Sequence, residues 1–188
     1  AKKDYLTDYN VDKNGTLFKI KNNNYSFKFL LPEATFLSIA ATFELANFLG
    51  KPTDKSFSMF ELPPGRSSIF RGIKGITILD SCYNANLSSA TEIVNMFNKI
   101  NVDKKWVVIG DMLEQGKHEE EEHEKLAKII IEAKYDKVFL LGPQVSKYTY
   151  PVFESANVEA EKFLSPKDLL ERLKEEISGG ETILFKGA

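Results

Sequence analysis

The stretch GITILDSCYNANLSSATEIV, Gly75 to Val94, changes character halfway. It opens as an apolar, β-branched run that reads as a strand, and from Ser88 onward the apolar positions recur at helical spacing. Between the two, Asp80 to Asn86 crowds a carboxylate, hydroxyls, a thiol, a phenol and two amides into one bend. A connection between a strand and a helix needs only a few turn residues, so this bend carries more polar chemistry than its geometry requires.

The same strand-then-helix alternation continues along the chain. Apolar runs at Gly75–Asp80, Trp106–Gly110, Lys137–Gly142 and Thr182–Phe185, with a weaker one at Val158–Phe163, alternate with helical patterns at Ser88–Lys99, Glu119–Ala133 and Pro166–Ile177. Strands that are apolar on both faces and separated by helices imply a mostly parallel sheet covered on both sides. With right-handed crossovers, this predicts a Rossmann-like α/β fold. Ligands of such sheets bind beyond the carboxyl ends of the strands. Asp80–Asn86 ends one predicted strand and GDMLEQG, Gly110–Gly116, ends the next, which places both polar loops on one rim.

The first third reads differently. GTLFKI and NYSFKFLL are expected to form a hairpin through Asn22, Asn23 and Asn24. A helix follows over PEATFLSIAATFELANFLG, with Pro32 and Glu33 in its first turn, an apolar stripe of Phe36, Ile39, Ala40, Phe43 and Ala46–Leu49, and Gly50 as its stop. KPTDKSFSMFELPPGR then brings three prolines and a glycine together. The domain boundary is expected there, giving residues 1–62 as a small α+β unit and 63–188 as the Rossmann-like unit.

Composition narrows the function. Among 188 residues, 43% are apolar and 12% aromatic, ample for a packed core. With 25 basic and 27 acidic residues the net charge is -2, so no global field draws the chain to nucleic acid or an anionic membrane. The one cysteine, Cys82, has no internal disulfide partner, which points to a reducing compartment and hence the cytoplasm. No apolar run reaches the roughly 18 to 20 residues of a membrane span, and AKKDYLTDYN lacks the apolar centre of a signal peptide. From the abrupt opening and the stop after ETILFKGA, a piece of a longer protein is expected.

Candidate site residues cluster at the hinge and on the rim. Arg66 follows two prolines, where its fork of donors suits phosphate oxygens; the alternative is a surface arginine after a linker. Asp80 suits ribose hydroxyls, Tyr83 suits stacking on a base, and Asn84 and Asn86 suit ring or amide nitrogens; the alternative is a polar turn in which Asn86 or Ser88 caps the next helix. Cys82, with no histidine near it in sequence, reads as a half-buried filler and not a nucleophile. Asp111 and Glu114 stand at a strand end between two glycines, either touching a ligand or shaping the loop. HEEEEHE, His118–Glu124, offers His118 with Glu122 and Glu119 with His123 as metal ligands on one face, but reads better as a solvated acidic first turn. No metal site is assigned. No phosphate-binding G-x-x-x-x-G-K-[ST] loop, G-x-G-x-x-G, C-x-x-C or G-x-S-x-G is present.

Taken together, PPGR, ILDSCYNAN, VVIGDMLEQG followed by His123, and LFKG resemble the C-terminal domain of the Mur ligases. The similarity is greatest to the members that add D-alanyl-D-alanine to a UDP-N-acetylmuramoyl tripeptide, with a pattern near P-G-R, D-D-S-Y-N-A-N and L-G-D-M-x-E-L-G. It covers Leu62 to Gly187, and the preceding residues resemble the end of the family's central ATPase domain. The resemblance implies a monomeric cytoplasmic ligase that uses ATP and magnesium to join the two substrates through an acyl phosphate, with the phosphate loop and magnesium ligands upstream of Ala1. A fragment without them should be inactive. By position, Arg66 matches the family's hinge arginine near the phosphates, Tyr83 and Asn84 its nucleotide-side loop, and Asp111, Met112 and Glu114 its G-D-M-x-E element, assigned to the dipeptide site.

Two departures stand out. The family's paired acids become Asp80 and Ser81, so only the first is kept. Its G-x-H-N-x-x-N-x-x-A-A element becomes LPEATFLSIAA: Ala40 and Ala41 fit, but Glu33, Ala34 and Leu37 replace the histidine and both asparagines that help hold adenine. Two alternatives follow, a divergent ligase with another acceptor and a nucleotide-binding module without catalysis. The D-N-P-R signature of diaminopimelate selection is absent, and LLGPQVSKY stands in its place.

Overall fold

Alternation of buried and exposed side chains builds the first sheet. The computed structural model describes residues 5–52, 57 and 59–188, so residues 53–56 and 58 of the proline-rich stretch, and AKKD at the start, lie outside the described residues. In Gly15–Ile20 (β2), Thr16, Phe18 and Ile20 point inward; Leu6–Asp12 (β1) and Asn23–Phe27 (β3) pair with it antiparallel on either side. The expected hairpin is present but tighter. Its turn is Lys21 and Asn22, with Lys21 at φ 52°, whereas Asn23 and Asn24 already pair with Ile20 and Lys19. β3 also stops at Phe27, because Thr16 Oγ1 bonds Phe29 O at 2.8 Å and Leu31 N at 2.9 Å, replacing the ladder with a side-chain bridge.

Helix α1, Phe36–Phe48, follows a short 3-10 turn at Glu33–Thr35 and buries Phe36, Ile39 and Phe43. These residues join Phe18, Tyr25 and Phe27 in an aromatic cluster, with the Tyr25 and Phe43 rings 4.3 Å apart. Gly50, at φ 63°, ends the helix as expected. The apolar stripe is shorter than its sequence pattern, however, since Phe48 and Leu49 are exposed.

The second unit is ordered by six strands: Ser68–Arg71 (β4), Thr77–Asp80 (β5), Glu181–Lys186 (β9), Lys104–Gly110 (β6), Lys137–Leu141 (β7) and Glu161–Phe163 (β8), in that spatial order. All neighbours pair in parallel except β4, which runs antiparallel to β5 at one edge. The chain forms two compact units, Ala1–Pro63 with Asn95–Asn101 and Pro64–Val94 with Val102–Ala188. Helices α2 (Leu87–Lys99), α3 (Glu119–Ala133), α4 (Tyr150–Ser155) and α5 (Pro166–Glu176) flank the sheet. Near-continuous burial in β6, β7 and β9 follows from their Val, Ile, Leu and Phe runs.

This unit also departs from the sequence reading: the strand expected at Val158–Phe163 is only Glu161–Phe163. β4 was hidden because it is only four residues long and leaves Ile69 and Phe70 exposed. Gly75 and Ile76 precede β5, since Ile73–Gly75 forms a 3-10 turn with Lys74 at φ 53°. A π turn at Val145–Thr149 leads into α4 where only a connection was expected. By contrast, α3 occupies the residues read from the sequence. Its first turn holds four glutamates, and Leu126, Ala127 and Ile130 face the core.

At the start of β9, Glu181 is buried and its carboxylate accepts from Ser178 Oγ at 2.7 Å, Ser178 N at 3.1 Å, Gly179 N at 2.8 Å and Lys104 Nζ at 3.1 Å. Burial alone would raise its pKa, but these hydrogen bonds and the ammonium override it and hold the carboxyl at about 2. A depressed folded-state pKa contributes stability above the unfolded value of roughly 4.3, and this contribution is lost as pH falls toward 2. Glu181→Gln should therefore lower stability at pH 7 by on the order of 2 kcal/mol and flatten its decline between about pH 4.5 and 2, as read by urea unfolding across that range.

Candidate functional site

The bend after β5 is pinned at nearly every residue. Ser81 N donates to Phe185 O at 2.9 Å, Asp80 Oδ1 accepts from Cys82 N at 3.0 Å, and Tyr83 N donates to Gly65 O at 3.1 Å. Asn84 Oδ1 accepts from Ala85 N at 2.8 Å, and Ala85 is buried. Asn86 then caps α2: its Oδ1 accepts from Ser89 N at 2.8 Å, while Ser89 Oγ accepts from Asn86 N at 3.2 Å. The Asp80 and Asn86 side-chain oxygens thus serve the turn itself. Tyr83 is left to face outward, 63% exposed.

Over the Tyr83 ring lies the arginine that follows Pro63, Pro64 and Gly65. Arg66 Cζ stands 4.3 Å from the ring centroid, a cation–π contact that joins two residues singled out independently in the sequence. Glycine at position 65 makes the approach possible: its φ is 74°, and a Cβ there would lie 3.1 Å from Tyr83 N. Cys82 is exposed at the surface, not the half-buried filler read from the sequence; partial desolvation of its thiol, with the hydrogen bond and charge of Asp80, pushes its pKa up to about 12. It is protonated at neutral pH and is no nucleophile.

The second loop divides its predicted residues between building and display. Asp111 is buried, and its Oδ1 accepts from Gln144 N at 3.0 Å and Val145 N at 2.8 Å, clasping the π turn after β7. Gly142 lets it in, for a Cβ there would fall 2.5 Å from that carboxylate. Met112 is buried as well, and its N–H donates to His123 Nε2 at 3.2 Å. That bond fixes the tautomer, so Nδ1 carries the proton and donates to Glu119 O at 2.7 Å. Glu114 alone of the three is exposed, at φ 62°.

His123 is fully buried and engaged at both ring nitrogens, whereas His118 is exposed and lies 3.5 Å from Glu121. Among the described residues, no three of His, Cys, Asp or Glu group to hold a metal ion. The sequence missed His123 as the brace of the second loop, although its place one turn inside α3, on the face of Leu126, Ala127 and Ile130, carried the signal.

The strands that carry the two loops are not neighbours in the sheet. β9 runs between β5 and β6, pairing Phe185 with Asp80 on one side and with Val108 on the other. A cavity of about 370 Å³ opens on this rim, lined by Cys82, Asp111, Leu113, Leu141, Phe185 and Lys186 among others. It is largely apolar apart from Asp111 and Lys186. Lys186, which the sequence reading quoted within LFKG but gave no role, is buried beneath the first loop.

Residues 65–188 match the family model described as Mur ligase, glutamate ligase domain. The chain belongs to the Mur ligase family. It is 30% identical to the UDP-N-acetylmuramoyl-tripeptide--D-alanyl-D-alanine ligase of Bacillus subtilis, over 97% of this chain and 41% of that protein. The enzyme of the same name from Escherichia coli is 28% identical, again over 97% and 41%. Among solved structures, the MurF ligase of Thermotoga maritima in complex with ADP superimposes with a TM-score of 0.79 at 24% identity, covering 97% of this chain and 42% of that one. MurF from Acinetobacter baumannii gives a TM-score of 0.78 at 19% identity, covering 98% and 42%. These likenesses establish the Mur ligase fold, and the chain spans about 41% of the length of the curated relatives.

The geometry separates cap from clasp within this Mur ligase domain. Asn86→Ala should destabilise it by about 1 kcal/mol through the lost α2 cap. Asp111→Ala should cost more, about 2 to 3 kcal/mol, because two backbone donors lose a charged acceptor. Urea unfolding of both variants checks the order; equal losses would contradict it.

Proposed function

We propose that the whole protein is an ATP-dependent amide ligase of cell-wall precursor synthesis, adding D-alanyl-D-alanine to UDP-N-acetylmuramoyl tripeptide. ATP phosphorylates the tripeptide carboxylate, and the dipeptide amine attacks the resulting acyl phosphate and expels phosphate. Such a reaction depends on positioning and charge neutralisation more than on a protein nucleophile, in keeping with a protonated Cys82. The Bacillus subtilis and Escherichia coli relatives carry this activity in their names. Residues 1–62 are read as the end of the central ATPase domain and 63–188 as the C-terminal domain. Magnesium is assigned to residues upstream of Ala1, the protein to the cytoplasm, and the working form to a monomer.

The observation that carries this reading is the Arg66–Tyr83 pair on a bend pinned from both sides. An exposed aromatic face and a planar cation suit a nucleotide base and its phosphates, respectively. Asn84 borders the pair. Asp80 and Asn86 contribute by shaping the bend, with any ribose contact made by Asp80 Oδ2 or Asn86 Nδ2. On the acceptor side Glu114 is free to meet the dipeptide, while Asp111 and Met112 hold its loop. The replacement of the adenine-holding histidine and asparagines by Glu33, Ala34 and Leu37, with Leu37 63% exposed, favours a second reading as a non-catalytic nucleotide module.

Arg66→Ala in the full-length protein decides between them. In a ligase, D-alanyl-D-alanine-dependent release of ADP should slow by the roughly 2 to 4 kcal/mol of a lost charged contact at a transferring phosphoryl group, with thermal unfolding unchanged. Unchanged turnover at saturating substrates would remove Arg66 from the mechanism. No dipeptide-dependent ADP release from the unsubstituted protein would favour the module, and release driven by another amine would point to a different acceptor.

A further inference from the structure

Lys186 ends β9 with a charge that packing does not explain. It is 4% exposed, and its Nζ donates to Ser81 O at 3.2 Å and to Asn84 O. Both acceptors are neutral carbonyls, and no acidic side chain among the described residues forms an ion pair with it. Burial lowers its pKa and the charge of Arg66 acts in the same direction, opposed by Cys82. An ammonium taken out of water without a counter-charge is costly, so leucine or methionine would fill this slot better if filling were its task.

What a lysine does here is tie two points of the bend together. Ser81 and Asn84 bracket Cys82 and Tyr83, and Lys186 holds both carbonyls from below, while the Gly65 carbonyl takes the Tyr83 N–H from the hinge side. The arch between them has no regular backbone pairing of its own. Besides the bonds of Ser81 N to Phe185 O, Cys82 N to Asp80 Oδ1 and Tyr83 N to Gly65 O, this ammonium is the side-chain donor that joins the two ends of the arch.

We propose that Lys186 is a positioning residue for nucleotide binding, which fixes the Ser81–Asn84 arch to the central strand so that the Tyr83 ring stands ready beneath Arg66 and a base. The proposal rests on the nucleotide reading of the bend given above. It makes Lys186 act through Tyr83 and not through contact with the nucleotide.

The test is ADP binding by calorimetry in the full-length protein, as a double-mutant cycle with thermal unfolding alongside. Lys186→Met should weaken ADP about tenfold, and the Lys186→Met, Tyr83→Ala double variant should bind within about twofold of Tyr83→Ala alone, because the arch no longer matters once the ring is gone. Lys186→Arg, which keeps charge and donors, should bind within about threefold of the unsubstituted protein. A purely structural lysine would lower Tm without changing ADP affinity. Wild-type affinity in Lys186→Met, or losses that multiply in the double variant, overturns the proposal. If Lys186→Met does not fold, Lys186→Arg decides: a folded variant that has lost tenfold or more in affinity also overturns it. The two readings fail differently, since normal ADP binding by Tyr83→Ala would sink the nucleotide assignment itself, whereas weak binding there with normal binding by Lys186→Met sinks only the role of the lysine.

Discussion

Strand β9 hydrogen-bonds to β5 through Thr182–Phe185 and to β6 through Glu181–Lys186, and so sets the register of both loops that carry the candidate site. Without it the parallel sheet would split between β5 and β6. The Glu181 carboxylate anchors its beginning in a net of backbone and side-chain donors, and the Lys186 ammonium anchors the bend at its end. Opposite charges at the two ends of one buried strand are therefore spent on backbone geometry: Glu181 gathers N–H groups and Lys186 gathers carbonyls.

This arrangement gives the two loops different characters. The bend after β5 is tied down through its backbone while its largest side chain, Tyr83, stays exposed. The loop after β6 is tied down through side chains, Asp111 to the π turn and the Met112 amide to His123, which leaves Glu114 as its outward group. A pinned backbone presenting an exposed aromatic suits a ligand that stacks.

Much of this was legible in the sequence, for identifiable reasons. The parallel strands announced themselves because burial on both faces demands unbroken apolar runs, and α3 because four glutamates mark its first turn and apolar residues recur behind them. The bend stood out by its crowded polar residues, but the side-chain oxygens of Asp80, Asn84 and Asn86 turn out to serve the bend's own geometry. Hidden were features that depend on strand order or on a single side chain's partner. No local pattern says that β9 sits between β5 and β6, so the intervening Lys186 was invisible as a loop anchor. β4 is too short and too exposed to show alternation, and His123 read as part of an acidic surface run although its ring is buried. The Asn-rich turn was misplaced by one or two residues because Lys21, not an asparagine, takes the positive φ. At the candidate site, Arg66 and Tyr83 were found by residue type and motif; their stacking depended on Gly65, whose role appears only once the hinge and bend are seen side by side.

The central claim is that a pinned bend offers Tyr83 and Arg66 to a nucleotide. A crystal structure of the full-length protein with ADP tests it most directly. The account expects the backbone of Asp80–Asn86 unchanged, the base against the Tyr83 ring, and the Arg66 guanidinium within hydrogen-bonding distance of a phosphate oxygen. ADP bound with Tyr83 and Arg66 still stacked on each other and neither touching it would contradict the account.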